Sequence, residues 1–268
     1  MAVADRGPAP RILAVANQKG GVGKTTTAIN LATALAAVGR QVLILDLDPQ
    51  GNASTGLGLP PRRRGRTTYD ILVGEAKVAE AAAATAVPGL SIAPGSPELS
   101  GLEIELANAT DRNRRLAAAL AAWRGPCDFV LIDCPPALNV LTVNAMAAAD
   151  SVLVPLQCEF FALEGLSQLL STVERVKGAL NPRLTIEGVV LTMYDRRNNL
   201  SAQVADDVRD TLGDVVYETV IPRNVRLSEA PSHAVPALIY DHGCSGSQAY
   251  IRLAGEILRR RAPLANAS

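Results

Sequence analysis

The sequence predicts an α/β fold: a mainly parallel twisted sheet with helices on both faces. Three observations predict it. Short apolar runs alternate with longer helical patterns almost from end to end. The runs are continuous, as in strands buried on both faces, and do not alternate with polar residues. Two of them end in aspartate and one opens into a glycine-rich turn, at the carboxyl edge where such sheets bind ligands.

Strands are expected at 12–17, 42–46, 90–93, 129–133, 151–155 and 186–192, each a compact apolar run bounded by polar or turn residues. Helices are expected at 24–38, 102–122, 140–148, 163–180 and 201–212. A last helix, about 248–261, sets Tyr250, Leu253, Ala254 and Ile257 at helical spacing, which fits docking on the core better than lying in a membrane. Residues 79–86 read as an alanine-rich helix. Residues 51–67, with Arg62, Arg63, Arg64 and Arg66 among glycines and prolines, read as a mobile surface loop. The expected organisation is a disordered leader at 1–10, one domain at 11–261 and a tail at 262–268.

Composition narrows the functions available. A chain of 268 residues with 48% hydrophobic and 19% charged residues suits one large core. Aromatics are only 3%, so base-stacking surfaces are scarce and any nucleic-acid contact should be to phosphate. The 26 Lys+Arg balance 26 Asp+Glu, so a DNA site would have to be a local patch. Cys127, Cys134, Cys158 and Cys244 show no C-x-x-C spacing and the histidines are only His233 and His242, which points away from zinc sites and redox pairs. The leader lacks the apolar stretch of a signal peptide, and no apolar run reaches transmembrane length.

The strongest chemical signal is Lys19-Gly20-Gly21-Val22-Gly23-Lys24-Thr25-Thr26, between a predicted strand and a predicted helix. Glycines let backbone wrap around phosphate oxygens, and the helix start turns unpaired N–H groups toward them. Lys24 would reach the outer phosphates and Thr25 would ligate Mg²⁺. The chain has only four lysines, Lys19, Lys24, Lys77 and Lys177, and two stand in this loop, which suggests a need for compact ammonium charges. Asp46 and Asp48 close the second strand with side chains on one face, where one could hold the metal's water and the other orient an attacking water; capping of the following turn is the structural alternative. Asp133 closes a third apolar strand in a Walker B arrangement. No lysine follows an asparagine, as a guanine-binding N-K-x-D motif requires, so ATP is favoured over GTP.

Gln18 stands where an ordinary Walker A loop has its first glycine, and Lys19 follows. This loop resembles the deviant Walker A of the ParA/Soj, MinD and nitrogenase iron protein superfamily. Segments 17–18, 46–51, 132–136, 155–159, 162–166 and 221–231 resemble chromosomal ParA/Soj in particular, over 12–258 in all. The resemblance implies a deviant P-loop ATPase that uses ATP and Mg²⁺ and dimerises when ATP-bound, with Lys19 crossing to the other subunit's nucleotide. It makes Asp48 the hydrolytic carboxylate, which leaves Asp46, with Asp133 and Thr25, as the residues expected at the metal, and it places Pro222 and Asn224 near the adenine. It maps nonspecific DNA binding onto Arg226 and Arg197, with Arg223 beside them, although surface arginines are common. It further implies a ParB/Spo0J-like centromere-binding partner and a cytoplasmic, nucleoid-associated chain. The rival readings are a membrane-bound MinD-like switch, an iron–sulfur carrier and a partitioner of another cargo.

Overall fold

The computed structural model describes residues 9–159 and 162–260. Seven strands form one sheet: β1 (Arg11–Val15), β2 (Val42–Asp46), β3 (Ala83–Ala84), β4 (Leu90–Ala93), β5 (Phe129–Asp133), β6 (Ser151–Gln157) and β7 (Thr185–Thr192). Their order is β3-β4-β2-β5-β1-β6-β7, parallel throughout except for the short β3 against β4. The expected α/β architecture is the observed one. Because β5 lies between β1 and β2, the turns after all three open side by side. Val15 and Asp46 are both register partners of Asp133.

The helices are α1 (Lys24–Ala37), α2 (Asn52–Gly56), α3 (Thr68–Val73), α4 (Val78–Ala81), α5 (Leu102–Glu105), α6 (Arg115–Ala122), α7 (Val140–Ala148), α8 (Ala162–Ala179), α9 (Asn199–Leu212), α10 (Val225–Glu229), α11 (Ala237–Tyr240) and α12 (Ser245–Arg260). Side chains alternate along the strands into two cores. Ala14, Leu43, Leu45, Val130 and Ile132 face one way; Leu13, Val15, Ile44, Leu131 and Leu153 face the other, under α1 and α12. The apolar stripe of α12 is buried at Tyr250, Leu253, Ala254 and Ile257, and the Tyr250 hydroxyl lies 3.1 Å from Thr27 Oγ1 on α1. Burial of Leu253 and Ile257 stabilises by roughly 1.5–3 kcal/mol each, enough to fix α12 as core rather than a free amphipathic helix.

Four expectations are corrected. The helix expected at 102–122 is two, α5 and α6, separated by turns. Asn108, Thr110, Asp111 and Asn113 favour turns, and the buried Asn144 side chain meets the freed backbone by donating to Arg112 O (2.7 Å) and accepting from Leu116 N (3.2 Å). The alanine run helical at α4 turns into β3, because Thr85 Oγ1 bonds Leu90 O (2.8 Å) and draws the chain alongside β4. Segment 51–67 is an ordered hook holding α2 and a single 3-10 turn, Pro61–Arg63, pinned by Arg64. β6 also outruns its predicted end at Pro155. Its edge facing β1 is past the end of that strand there, so the missing N–H of proline costs no ladder bond, and Asn17 Nδ2 donates to Pro155 O (2.8 Å). Most of the leader and the whole tail fall outside the described residues.

Candidate active site

Backbone shape and charge both prepare the glycine-rich loop for an anion. Gly21 (φ 76°) and Gly23 (φ 89°) are left-handed, a conformation that a β-carbon resists, and nothing stands within 4 Å of where a side chain on Gly20 would begin. Gly23 begins α1 with no side-chain cap and no acidic residue in the first turn, so the N–H groups and the positive end of the dipole are available. The loop is anchored on both sides. Asn17 Oδ1 accepts from Lys19 N (3.0 Å), and the Thr192 hydroxyl at the end of β7 donates to Val22 O (2.9 Å).

The two lysines take opposite places. Lys24 is buried and its ammonium donates to Lys19 O (3.0 Å) across the loop. Burial lowers its pKa, against the opposing pull of Asp133, Cys134 and Asp48. Lys19 lies outside, with 44% of its side chain exposed and its ammonium paired with Glu159 at the end of β6.

The three aspartates divide in the same manner. Asp133 is fully buried, and among the described residues neither carboxylate oxygen has a hydrogen-bond partner. Burial raises its pKa well above the usual range and Asp46 and Asp48 add to this, while the nearby Thr25 hydroxyl and Lys24 oppose it. Such orphaned oxygens are costly unless a cation's shell meets them, so with Thr25 at the start of α1 the donors fit Mg²⁺ beside a phosphate. Asp46, expected at the metal, anchors a turn at the end of β2. Its Oδ2 accepts from Ser54 N (2.9 Å) and Ser54 Oγ (2.6 Å), and its Oδ1 from Asp48 N (3.2 Å). Burial raises its pKa, and the Ser54 bonds pull the other way. Asp48 is half-buried, with Oδ1 accepting from Gln50 N (3.0 Å).

Beside the loop a cavity of about 320 Å³ lies between Gly23 and Thr26 on one side and Met193, Pro222 and Asn224 on the other. Both residues expected near the adenine therefore line it. Asn224 also caps α10, accepting from Arg226 N (2.8 Å) and donating to Ser245 Oγ (2.9 Å). Met193 has φ 50°, an unusual left-handed residue in the cavity wall. Sequence reasoning missed Ser54, Thr192, Met193 and Glu159. The first could have been sought from the need of a buried Asp46 for donors.

A protein-family model described as an AAA domain matches residues 10–186. The chain is 66% identical to the chromosome partitioning protein ParA of Caulobacter vibrioides over 93% of this chain and 94% of that one. The chain belongs to the ParA/Soj family of chromosome-partitioning ATPases. It is 52% identical to the sporulation initiation inhibitor protein Soj of Bacillus subtilis, over 92% of this chain and 98% of that one. Among solved structures it is similar to a Mycobacterium smegmatis protein described as cobyrinic acid a,c-diamide synthase with bound ATP analog and magnesium (TM-score 0.82, 38% identity, 94% and 95% coverage). It is also similar to the cell division ATPase MinD of Pyrococcus furiosus (TM-score 0.78, 29% identity, 93% and 99% coverage). Among the described residues of this ParA/Soj-family ATPase, no helix is long and apolar enough to cross a membrane.

The expected DNA-binding arginines lie on two adjoining segments. Tyr194 and Pro222 form a bridge between them, and Arg223 N donates to Tyr194 O (3.0 Å). Arg223 is exposed. Arg197 makes a fork with Asp195 (2.9 and 3.0 Å), which holds that carboxylate down at about 2. Arg226 pairs with Glu229 (2.9 Å) and Asp241 (3.4 Å).

Proposed function

We propose that this ATPase is a dimerising switch: ATP joins two copies, the pair binds DNA nonspecifically, and hydrolysis releases it during segregation of a chromosome or plasmid. The observation that carries the reading is the division of labour between the loop lysines. Lys24 is buried within the phosphate cradle, while Lys19 projects outside it and pairs with an exposed carboxylate. An ammonium so placed can exchange Glu159 for a phosphate oxygen of a nucleotide held by a second copy.

In this mechanism the N–H groups of the loop and of α1 bind the phosphates, and Lys24 neutralises the outer oxygens. Thr25 and Asp133 hold Mg²⁺ when it is bound, which supplies Lewis-acid stabilisation of phosphate charge. Asp48 orients the attacking water and accepts its proton, the γ-phosphoryl–oxygen bond breaks, and ADP and phosphate leave. Asp46 contributes by holding the turn that carries Asp48. Arg197, Arg223 and Arg226 supply three phosphate contacts per copy. Joining two copies doubles the contacts on one duplex, which explains how a chain of zero net charge binds DNA only when ATP is present. The family's ParB/Spo0J-like partner and a place on the nucleoid belong to the same proposal.

Sedimentation of Asp48→Ala saturated with Mg-ATP tests it. A dimer is expected, and a monomer when Lys19→Ala is added. Single subunits in both would overturn the switch.

A further inference from the structure

Of the four arginines in the hook, three point into solvent and one points inward. Arg62, Arg63 and Arg66 are exposed, whereas Arg64 is half-buried and its guanidinium ends on neutral oxygens. Nε donates to Leu59 O (3.1 Å), Nη1 to Gly95 O (2.9 Å), and Nη2 to Gly51 O (2.8 Å) and Thr55 Oγ1 (2.9 Å). Burial lowers its pKa, with Asp46 opposing. Among the described residues this partly desolvated guanidinium has no carboxylate partner, and its rigid fork is suited to fixing the backbone it grips.

That backbone carries Asp48. Gly51 N donates to Asp48 O (2.9 Å), closing the turn whose far end Arg64 grips. Gly95, gripped by the other arm, lies so close behind that a β-carbon there would sit 2.7 Å from Asp48 O. Gly95 N also donates to Ser54 Oγ (3.0 Å), and Ser54 Oγ to Asp46 (2.6 Å). Asp46, Ser54, Gly95, Arg64, Gly51 and Asp48 thus form a closed ring of contacts, with one guanidinium as its link. Gly51 is itself left-handed (φ 61°), which favours glycine, and a β-carbon there would lie 2.1 Å from Arg64 Nη1.

We infer that Arg64 is a positioning residue for hydrolysis, holding the Asp48 turn in register from behind without touching nucleotide. The inference rests on Asp48 being the hydrolytic carboxylate. It differs from a general structural role in its kinetic signature. The phosphate cradle is built on β1 and α1, so loosening the clamp should spare ATP binding and slow turnover. A misplacement of about 1 Å costs on the order of a hundredfold in rate.

The test measures ATP hydrolysis in the presence of duplex DNA and ATP affinity of the full chain for wild type, Asp48→Ala, Arg64→Lys and Thr55→Val. Arg64→Lys keeps the charge but loses the fork. It should lower kcat by roughly 10- to 100-fold with ATP affinity within about twofold of wild type. The exposed Thr55→Val, which removes one of the four acceptors, should lower kcat by about threefold at unchanged affinity. If Arg64→Lys does not fold, Thr55→Val decides: an unchanged kcat overturns the inference. Wild-type kcat in Arg64→Lys, or a loss of ATP binding equal to the loss of rate, overturns it as well. Should Asp48→Ala hydrolyse at the wild-type rate, the reading of Asp48 has failed; should only Asp48→Ala be impaired, the clamp alone has failed.

Discussion

Removing Arg226 should change how steeply DNA binding depends on salt, and by a calculable amount. If Arg197, Arg223 and Arg226 each meet a phosphate, an ATP-joined pair makes about six contacts, and log K falls against log salt with a slope near −5.4. Between 50 and 200 mM salt, affinity then drops about 2,000-fold. Arg226→Ala deletes two contacts, leaving a slope near −3.6 and a drop of about 150-fold over the same range. Arg226 begins in contact with Glu229 (2.9 Å) and Asp241 (3.4 Å), so binding exchanges one anion for another and the intrinsic affinity is modest. The slope is insensitive to that exchange because it counts released counterions. Fluorescence anisotropy on a nonspecific duplex, with Asp48→Ala holding the Mg-ATP dimer, gives the slope directly. If Arg226→Ala leaves it unchanged, Arg226 does not meet phosphate.

Further outcomes follow from the same geometry. Asp195→Asn frees the Arg197 fork and should raise duplex affinity at low salt by about two- to fivefold, read in the same assay. Lys24→Ala should abolish Mg-ATP binding by calorimetry while leaving the far-ultraviolet spectrum intact. Gly188→Ala would place a β-carbon 2.5 Å from Tyr217 Cε2 and 3.0 Å from Val215 O. It should cost about 1–3 kcal/mol, or roughly 2–4 °C of Tm for each kcal/mol. Burial pushes Glu256 up, but the N–H groups of Glu218 and Thr219 and the Arg260 guanidinium hold its pKa below the usual value. With its folded pKa depressed, it adds stability above its unfolded pKa and loses it as pH falls through the folded one. Glu256→Gln should lower Tm at neutral pH by an amount that shrinks in acid, and a constant difference across that range would refute this account.

The sheet and the phosphate loop were legible because each rests on local pattern. The apolar strands ending in Asp46 and Asp133 and the glycine spacing around Lys24 need no knowledge of distant residues. The misread segments depend on partners far along the chain. Asn144 decides where the helix expected at 102–122 breaks, and β4 decides that alanines at 83–84 extend. The hook at 51–67 has the composition of a loop, whereas its order comes from Arg64 reaching Gly95 and Ser54 reaching Asp46. Turn capping by Asp46 is open in the sequence as an alternative, and its bond from Asp48 N is local; the two donors from Ser54 depend on a segment eight positions on, brought back across the end of β2.

The contact between Tyr250 and Thr27 joins groups 223 positions apart. The helix that opens from the glycine-rich loop therefore rests on a floor laid down by a segment found much later in the chain. Contacts of such sequence separation carry a loop-closure cost that local helix formation does not. A chain cut before Ser245 would carry every motif residue and still lack the support beneath them.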